Sequence, residues 1–263
     1  MATRAAPILE RILESRRAAV SRLQDSAATS GLIERARQAP PARDFRSAIG
    51  GNDPALIAEC KQRSPSAGAL QLTYDPVGLA RRYAAGGAAA ISVLTEPEFF
   101  GGSMDHLRSI RQSVQSPLLC KDFIIHRLQL LEARAAGADA VLLIVAVLDD
   151  NTLRSLHSAA LGLGLQALVE VHDEAEVERA LALKPAMIGI NNRDLTTMRT
   201  DAGTTARLRP LLPKEQIVVS ESGIQSRADM VALRRAGVNA ALVGESLLRA
   251  TNLDEKLREL TGR

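Results

Sequence analysis

"PLLCKDFIIHRLQLLEARAAGADAVLLIV", residues 117–145, holds one complete structural repeat. "PLLCK" (117–121) and "AVLLIV" (140–145) are short apolar runs that read as strands. Between them "RLQLLEARAAGA" has helical spacing and ends at Gly137, a helix-stopping residue just before the next strand. Strand, helix and strand in that order predict two parallel neighbours joined by a crossover.

The same unit recurs in both directions along the chain. Further strand-like runs are "ALIAEC" (55–60), "AAISVL" (89–94), "QALVEV" (166–171), "AMIGIN" (186–191), "QIVVSE" (216–221) and "AALVG" (240–244). Helical segments such as "DPVGLARRYAAGG" and "SRADMVALRRAGV" separate them, with Gly86, Gly87 and Gly237 at their ends. Eight such strands alternating with helices over about 210 residues predict an α/β fold, a single (β/α)8 TIM barrel, rather than an open doubly wound sheet. No glycine-rich GxGxxG follows the first strand, which weakens a dinucleotide-binding alternative. The strands are not cleanly periodic, so the assignment rests on alternation and count.

The first fifty residues are of another kind. "ILERILESRRAAVSRL" (8–23) places Ile8, Leu9, Ile12, Leu13, Val20 and Leu23 on roughly one face of a helix, and Pro40 and Pro41 then break the pattern. Residues 1–50 are expected to form an N-terminal helical extension capping the barrel, and 51–263 the barrel itself. So short an extension cannot build its own core.

Composition narrows the function classes. The chain has 263 residues, 46% hydrophobic and 24% charged, an ordinary globular balance. Its longest apolar run, "AVLLIVAVL" (140–148), falls short of the roughly 20 residues that span a bilayer. No apolar stretch followed by a cleavage site opens the chain, so a cytoplasmic protein is expected. The net charge of +3 comes from arginines scattered among acids, and with only four Phe, two Tyr and no Trp for base stacking, nucleic acid is not expected as a partner. Cys60 and Cys120 form no metal-ligand spacing, and strand alternation turns each away from the lysine that follows it.

Chemistry in such barrels sits at the C-terminal strand ends. Glu59, Lys61, Lys121, Glu170, Asn191, Arg193, Glu221, Ser222, Gly244 and Glu245 all fall there. Glu59 and Lys61, at i and i+2, can pair with each other on one face. Three of these carboxylates, Glu59, Glu170 and Glu221, converging with two lysines on one mouth point to acid–base chemistry. Only five of the 33 basic residues are lysines; Lys184, Lys214 and Lys256 read as surface, leaving Lys61 and Lys121 at strand ends. Lysine can lose its proton when burial or like charge lowers its pKa, whereas arginine cannot, so a general acid, a Schiff-base former or an electrostatic clamp would each favour it. Phe99, Phe100 and Phe123 suggest an aromatic wall for a flat apolar group. Gly223 and Gly244, in the loops after strands seven and eight, suggest backbone amides for a phosphate, and Ser64 and its loop could help close the site. The composite ligand has a phosphate, a planar apolar portion and an anionic group.

"IAECKQRSPSAG", "SVLTEPEFFGGS", "LLCKDFII", "GADAVLLIVAVL", "ALVEVHDEAE", "IGINNRDL", "VVSESGI" and "LVGESLL" resemble, in order, the blocks of the indole-3-glycerol-phosphate synthase family. The resemblance covers essentially the whole chain. It implies a lyase of tryptophan biosynthesis without cofactor or metal, closing the ring of 1-(2-carboxyphenylamino)-1-deoxyribulose 5-phosphate with release of carbon dioxide and water. It implies Lys121 as the general acid, Lys61 and Arg193 as holders of the substrate carboxylate, and Glu170 as an acid–base group for dehydration. Glu59, Asn191 and Glu221 would position groups or share proton transfer. Ser222, Gly223, Gly244 and Glu245 would grip the phosphate, largely through backbone amides, with Ser64, Phe100 and Phe123 completing the substrate site. The expected partner is this small phosphorylated aromatic molecule, bound by a monomer or weak homodimer, with no membrane contact. Many family members carry a basic residue after "SPS", where this chain has Ala67. Competing readings are an isomerase of an aminated sugar phosphate, a class I aldolase using Lys121 as an imine, and a barrel that binds a sugar phosphate without turnover.

Overall fold

The structure is a computed structural model that describes residues 7–24, 26–51, 53–64, 68–69 and 74–263, with only the backbone of Ser64 described. Ala67, and with it most of the loop after "KQRS", lies outside the described residues. Eight parallel strands among the described residues close a barrel in chain order: β1 (Ala55–Cys60), β2 (Ala90–Leu94), β3 (Leu118–Lys121), β4 (Ala140–Ile144), β5 (Gln166–Val171), β6 (Met187–Asn191), β7 (Ile217–Glu221) and β8 (Ala240–Val243). Each pairs with the next, and β8 closes on β1 through Ala55↔Ala240 to Ala58↔Val243. Every predicted strand is present, to within a residue at either end. A two-strand ribbon, Arg63–Ser64 against Gly68–Ala69, was not expected; pairs that short carry no hydropathy pattern.

The weak periodicity has a structural cause. Leu56, Ala58, Ile91, Val93, Leu118, Val141, Leu143, Val169, Ile188 and Val218 face the surrounding helices. Their neighbours Ile57, Ala90, Leu119, Leu142, Ile144, Leu168, Met187, Val219 and Leu242 form a separate inner cluster. Both faces of each strand are dry, so hydropathy does not alternate although the side chains do. Cys60 and Cys120 belong to the outer set, turned away from the barrel interior as expected.

The crossover helices are α4 (Pro76–Ala85), α6 (Met104–Ser113), α7 (Arg127–Ala135), α8 (Asp150–Gly162), α9 (Glu174–Leu181), α10 (Gly203–Leu208), α11 (Arg227–Arg235) and α13 (Leu253–Thr261). Short helices α5 (Pro97–Phe100) and α12 (Glu245–Leu248) sit in the loops after β2 and β8. Gly137 and Gly237 take φ of 89° and 73° just past α7 and α11, the left-handed turn that ends a helix before its strand.

Ahead of the barrel come α1 (Pro7–Leu23), α2 (Ser26–Gln38) and α3 (Phe45–Ile49). Phe45 and Ile49 of α3 are fully buried with the inner cluster, and Asp44, Arg46 and Arg43 bond Gln166 and Asp139 at strand starts. That helix therefore seals the N-terminal end of the barrel. α2 packs Leu32 and Ala36 on Leu128 and Leu131 of α7. α1 reaches the opposite end, with Arg11 over the Phe99 ring at 5.3 Å and Arg16 3.2 Å from Asp122. Asp122, just past β3, also accepts from Thr95 Oγ1 at 2.7 Å and its neighbour's Phe123 N–H. Its place in "LLCKDFII" is thereby explained: it ties the first helix to the catalytic-end loop.

Candidate active site

Inner-face parity carries straight from core to chemistry. Following Ile57 inward-facing comes Glu59; following Leu119, Lys121; following Leu168, Glu170; following Val219, Glu221. On β6 the series runs Met187, Gly189, Asn191. Register then aligns these ends: Glu170 pairs with Gly189, and Asn191 with Glu221. A Cβ at Gly189 would lie 2.5 Å from Glu221 Oε1, and one at Gly244 would collide with the Glu59 carboxylate. Both glycines make room for buried acids. For Gly244 this is a second role beside the phosphate turn suggested by its position.

Lys121 Nζ lies 2.5 Å from Glu221 Oε2 and 3.4 Å from Glu170 Oε2. Asn191 Nδ2 donates to Glu170 Oε1 at 3.2 Å, while Asn191 Oδ1 accepts from Ser222 Oγ at 2.9 Å and Arg193 N–H at 3.0 Å. Lys61 Nζ and Glu59 Oε1 are 2.5 Å apart, so the i, i+2 pair does form, inside the mouth. Arg193 Nη2 stands 3.5 Å from Glu245 Oε2, and Arg249 Nε bonds the other Glu245 oxygen at 3.0 Å.

The electrostatics correct one expectation. Burial opposes the Lys121 ammonium, but Glu221, Glu170 and Glu59 outweigh it and hold its pKa above the ordinary lysine value. The free site thus keeps this proton tightly rather than loosening it, because three other strands contribute carboxylates around it. Burial likewise opposes ionisation of Glu170, but Lys121 and His172 overcome it and hold its pKa down at about 2. At Glu221 burial prevails over Lys121, aided by the neighbouring Glu170, and its pKa is pushed up to about 7. Glu59 is lowered: Lys61, Lys121 and Arg193 overcome its burial. Two carboxylates share Lys121 with their pKa values pushed apart, a pattern that separates base from acid.

Above this floor opens a cavity of about 950 Å³. Glu59, Lys61, Lys121, Glu170, Asn191, Arg193, Glu221, Ser222, Gly223, Gly244 and Glu245 all line it, as do Phe100 and Phe123. Those two rings stand 6.1 Å apart at 33° and form an aromatic wall with Leu142, Ile144 and Leu195. Phe99 is a different case: it sits under Arg11 of α1 and not in the cavity lining. Ser64's side chain is not described. On the far side Ser222 and Gly223 both adopt positive φ, 67° and 83°. The left-handed Ser222 costs about 1–3 kcal/mol and persists only where its surroundings enforce it. Asn192 Nδ2 bonding the Ser222 carbonyl at 2.9 Å, together with the Asn191 bond to its hydroxyl, supplies that enforcement.

Two basic residues of the cavity escaped the sequence reading. Lys256 read as surface, but α13 brings it to the cavity, bonded to the Gln225 carbonyl and to Glu259. Arg249 lines the same side. Both lie past the last strand, where strand-end counting does not look. His172, which stands behind Glu170, was missed as well, although strand parity two residues on from that glutamate is a signal that could have found it.

A closed parallel barrel with paired acids and lysines at its C-terminal mouth is the architecture of a (β/α)8 enzyme, with side chains of the kind acid–base chemistry uses. A family profile described as Indole-3-glycerol phosphate synthase matches residues 9–260. The indole-3-glycerol phosphate synthase of Roseiflexus sp. (strain RS-1) is 48% identical over 264 residues, spanning 97% of this chain and 98% of that one. The same-named protein of Acidithiobacillus ferrooxidans (strain ATCC 53993 / BNL-5-31) is 45% identical over 257 residues, spanning 96% and 98%. The chain belongs to the indole-3-glycerol phosphate synthase family. Among solved structures, a chain of the tryptophan synthase α2β2 complex from Pyrococcus furiosus superposes with a TM-score of 0.58 at 17% identity, over 80% of this chain and 99% of that one, a likeness of fold alone. No helix among the described residues is long and apolar enough to cross a membrane.

Proposed function

We propose that the chain closes the indole ring of 1-(2-carboxyphenylamino)-1-deoxyribulose 5-phosphate, releasing carbon dioxide and water to leave indole-3-glycerol phosphate. The observation that carries this reading is the placement of Lys121 beneath an aromatic wall, with a second cationic pair, Lys61 and Arg193, in the same mouth. The substrate's aromatic ring would lie against Phe100 and Phe123, its carboxylate toward Lys61 and Arg193. Its phosphate would sit at the Ser222–Gly223 and Gly244–Glu245 loops, gripped by backbone amides.

Ring closure needs the ribulose carbonyl polarised while the ring carbon bearing the carboxylate attacks it. Lys121, kept protonated by its three carboxylates, gives that oxygen a proton as charge develops. Loss of carbon dioxide then returns the electrons of the breaking bond to the ring and restores aromaticity. Dehydration follows, with an acid assisting the departing hydroxyl and a base taking the proton that leaves. Glu170, ionised and fixed by Asn191, suits the base. Glu221, raised to about 7, holds or returns a proton near neutrality. Glu59 holds Lys61 in place through their 2.5 Å contact.

The test is direct: the purified chain is incubated with the anilino-deoxyribulose phosphate and indole fluorescence is followed. Product is expected between about pH 6 and 9, the range in which such tuned groups act. Bound substrate with no product anywhere in that range contradicts the reading. For the class I aldolase alternative the same mixture with borohydride would yield a trapped Lys121 adduct; none is expected.

A further inference from the structure

His172 follows β5 and lies outside the cavity lining, half-buried directly behind Glu170. Its Nε2 is 3.1 Å from Glu170 Oε1 and its Nδ1 is 2.9 Å from Glu176 Oε2, in the first turn of α9. The His172 backbone N–H donates to that same Glu176 oxygen at 2.9 Å, which fixes the ring's base. A neutral imidazole carries hydrogen on one nitrogen only; with a carboxylate facing each nitrogen, the charged form is the one that fits. The third charged group near the ring is Asp194, in the loop after β6, whose ionised form His172 also favours. Burial opposes the charged ring, but its close charge contact with Glu170 and its hydrogen bond to Glu176 prevail and its pKa is raised to about 10.

Glu170 therefore lies between two cations, Lys121 in front and His172 behind. Glu221 has Lys121 on one oxygen, while its other oxygen, Oε1, is buried with no hydrogen-bond partner among the described residues. Lys121 alone does not distinguish the two glutamates in kind; the Asn191 amide and the histidine on Glu170 Oε1 do, and of these two only the histidine brings a charge. We propose that His172 is a positioning residue of this active site: clamped by Glu176, it fixes the Glu170 carboxylate and makes Glu170, rather than Glu221, the ionised base of the pair. The inference rests on the ring-closure reading for its catalytic meaning, but the clamp itself is a property of the free protein.

Three measurements test it. In His172→Gln, which keeps a polar group but no charge, kcat is expected to fall about tenfold with KM within about threefold, and the acidic limb of the kcat profile to rise by about one pH unit. That direction follows because removing a cation raises the Glu170 pKa, so the base is lost at a higher pH. His172→Lys, which returns a charge, should bring the limb back towards its original position. In the substrate-free protein, NMR titration of the ring should give a midpoint above about 8, moving down in Glu176→Gln toward the ordinary value of about 6.5. A ring midpoint near 6.5 in the unaltered protein overturns the proposal and leaves ring closure untouched. So does a His172→Gln protein with the parent's kcat and pH profile. Absence of product from the unaltered chain counts instead against the reaction, while the ring midpoint still reports on the clamp.

Discussion

Lys121 shows how far a single residue can be read without its surroundings. Its position was legible, because parity from Leu119 carries it into the barrel mouth and lysines are scarce in this chain. Its electrostatics were not, because Glu221, Glu170 and Glu59 arrive from strands up to 100 residues away. The same applies to Lys256 and His172, whose partners are neighbours in space. A lysine held protonated suits the acid role, since its proton is present before substrate arrives. Lys121→Ala should therefore lower kcat by at least about a hundredfold while KM changes by no more than a few-fold, as expected for removing a general acid. If turnover survived and only affinity fell, Lys121 would be a binding group and the acid role would pass to Lys61.

At the scale of elements, strands whose two faces are both dry were found by length and alternation with helices, not by hydropathy period. Gly189 was passed over inside "AMIGIN", because only the folded barrel reveals Glu221 opposite it. Gly189→Ala should cost about 1–3 kcal/mol in urea unfolding, the usual penalty of overpacking a filled interior, and should lower turnover by displacing Glu221. A variant with parent stability and parent rate would show that Glu221 has room to move. The first helix was legible as amphipathic, but not its attachment: Arg16 and Asp122 are 106 residues apart in the chain and both buried. Removing one member of a buried pair leaves the other without compensation. Arg16→Ala is thus expected to cost about 3 kcal/mol, the lower end for such pairs, because Thr95 and the Phe123 N–H still bond Asp122. Equilibrium denaturation measures it, and a change under about 0.5 kcal/mol would mean the tether is dispensable.

For the whole molecule, eight repeats were enough to foretell closure, while the paths of α1 and α3 to opposite barrel ends were not readable from amphipathicity alone. The buried charges also impose a pH signature on folding as a whole. Glu221, raised from 4.5 to about 7, costs stability increasingly as pH climbs through that interval. His172, raised from 6.5 to about 10, contributes stability below 6.5 that disappears as pH rises to 10. Glu170 and Asp44, both lowered to about 2, contribute stability present above the ordinary carboxylate range and lost as pH falls towards 2. Stability to urea should accordingly peak near pH 5 (about where these opposing slopes meet) and decline on both sides. In Glu221→Gln the decline between about pH 4.5 and 7 should flatten; an unchanged slope would place Glu221's proton elsewhere.

All of these features converge on one reaction, and its stoichiometry is the sharpest check. The intact chain is mixed with limiting 1-(2-carboxyphenylamino)-1-deoxyribulose 5-phosphate, and indole fluorescence and released carbon dioxide are measured together. One carbon dioxide per indole-3-glycerol phosphate, formed to completion, is the predicted result. Substrate that binds but is recovered unchanged, or carbon dioxide released without indole, would contradict the account.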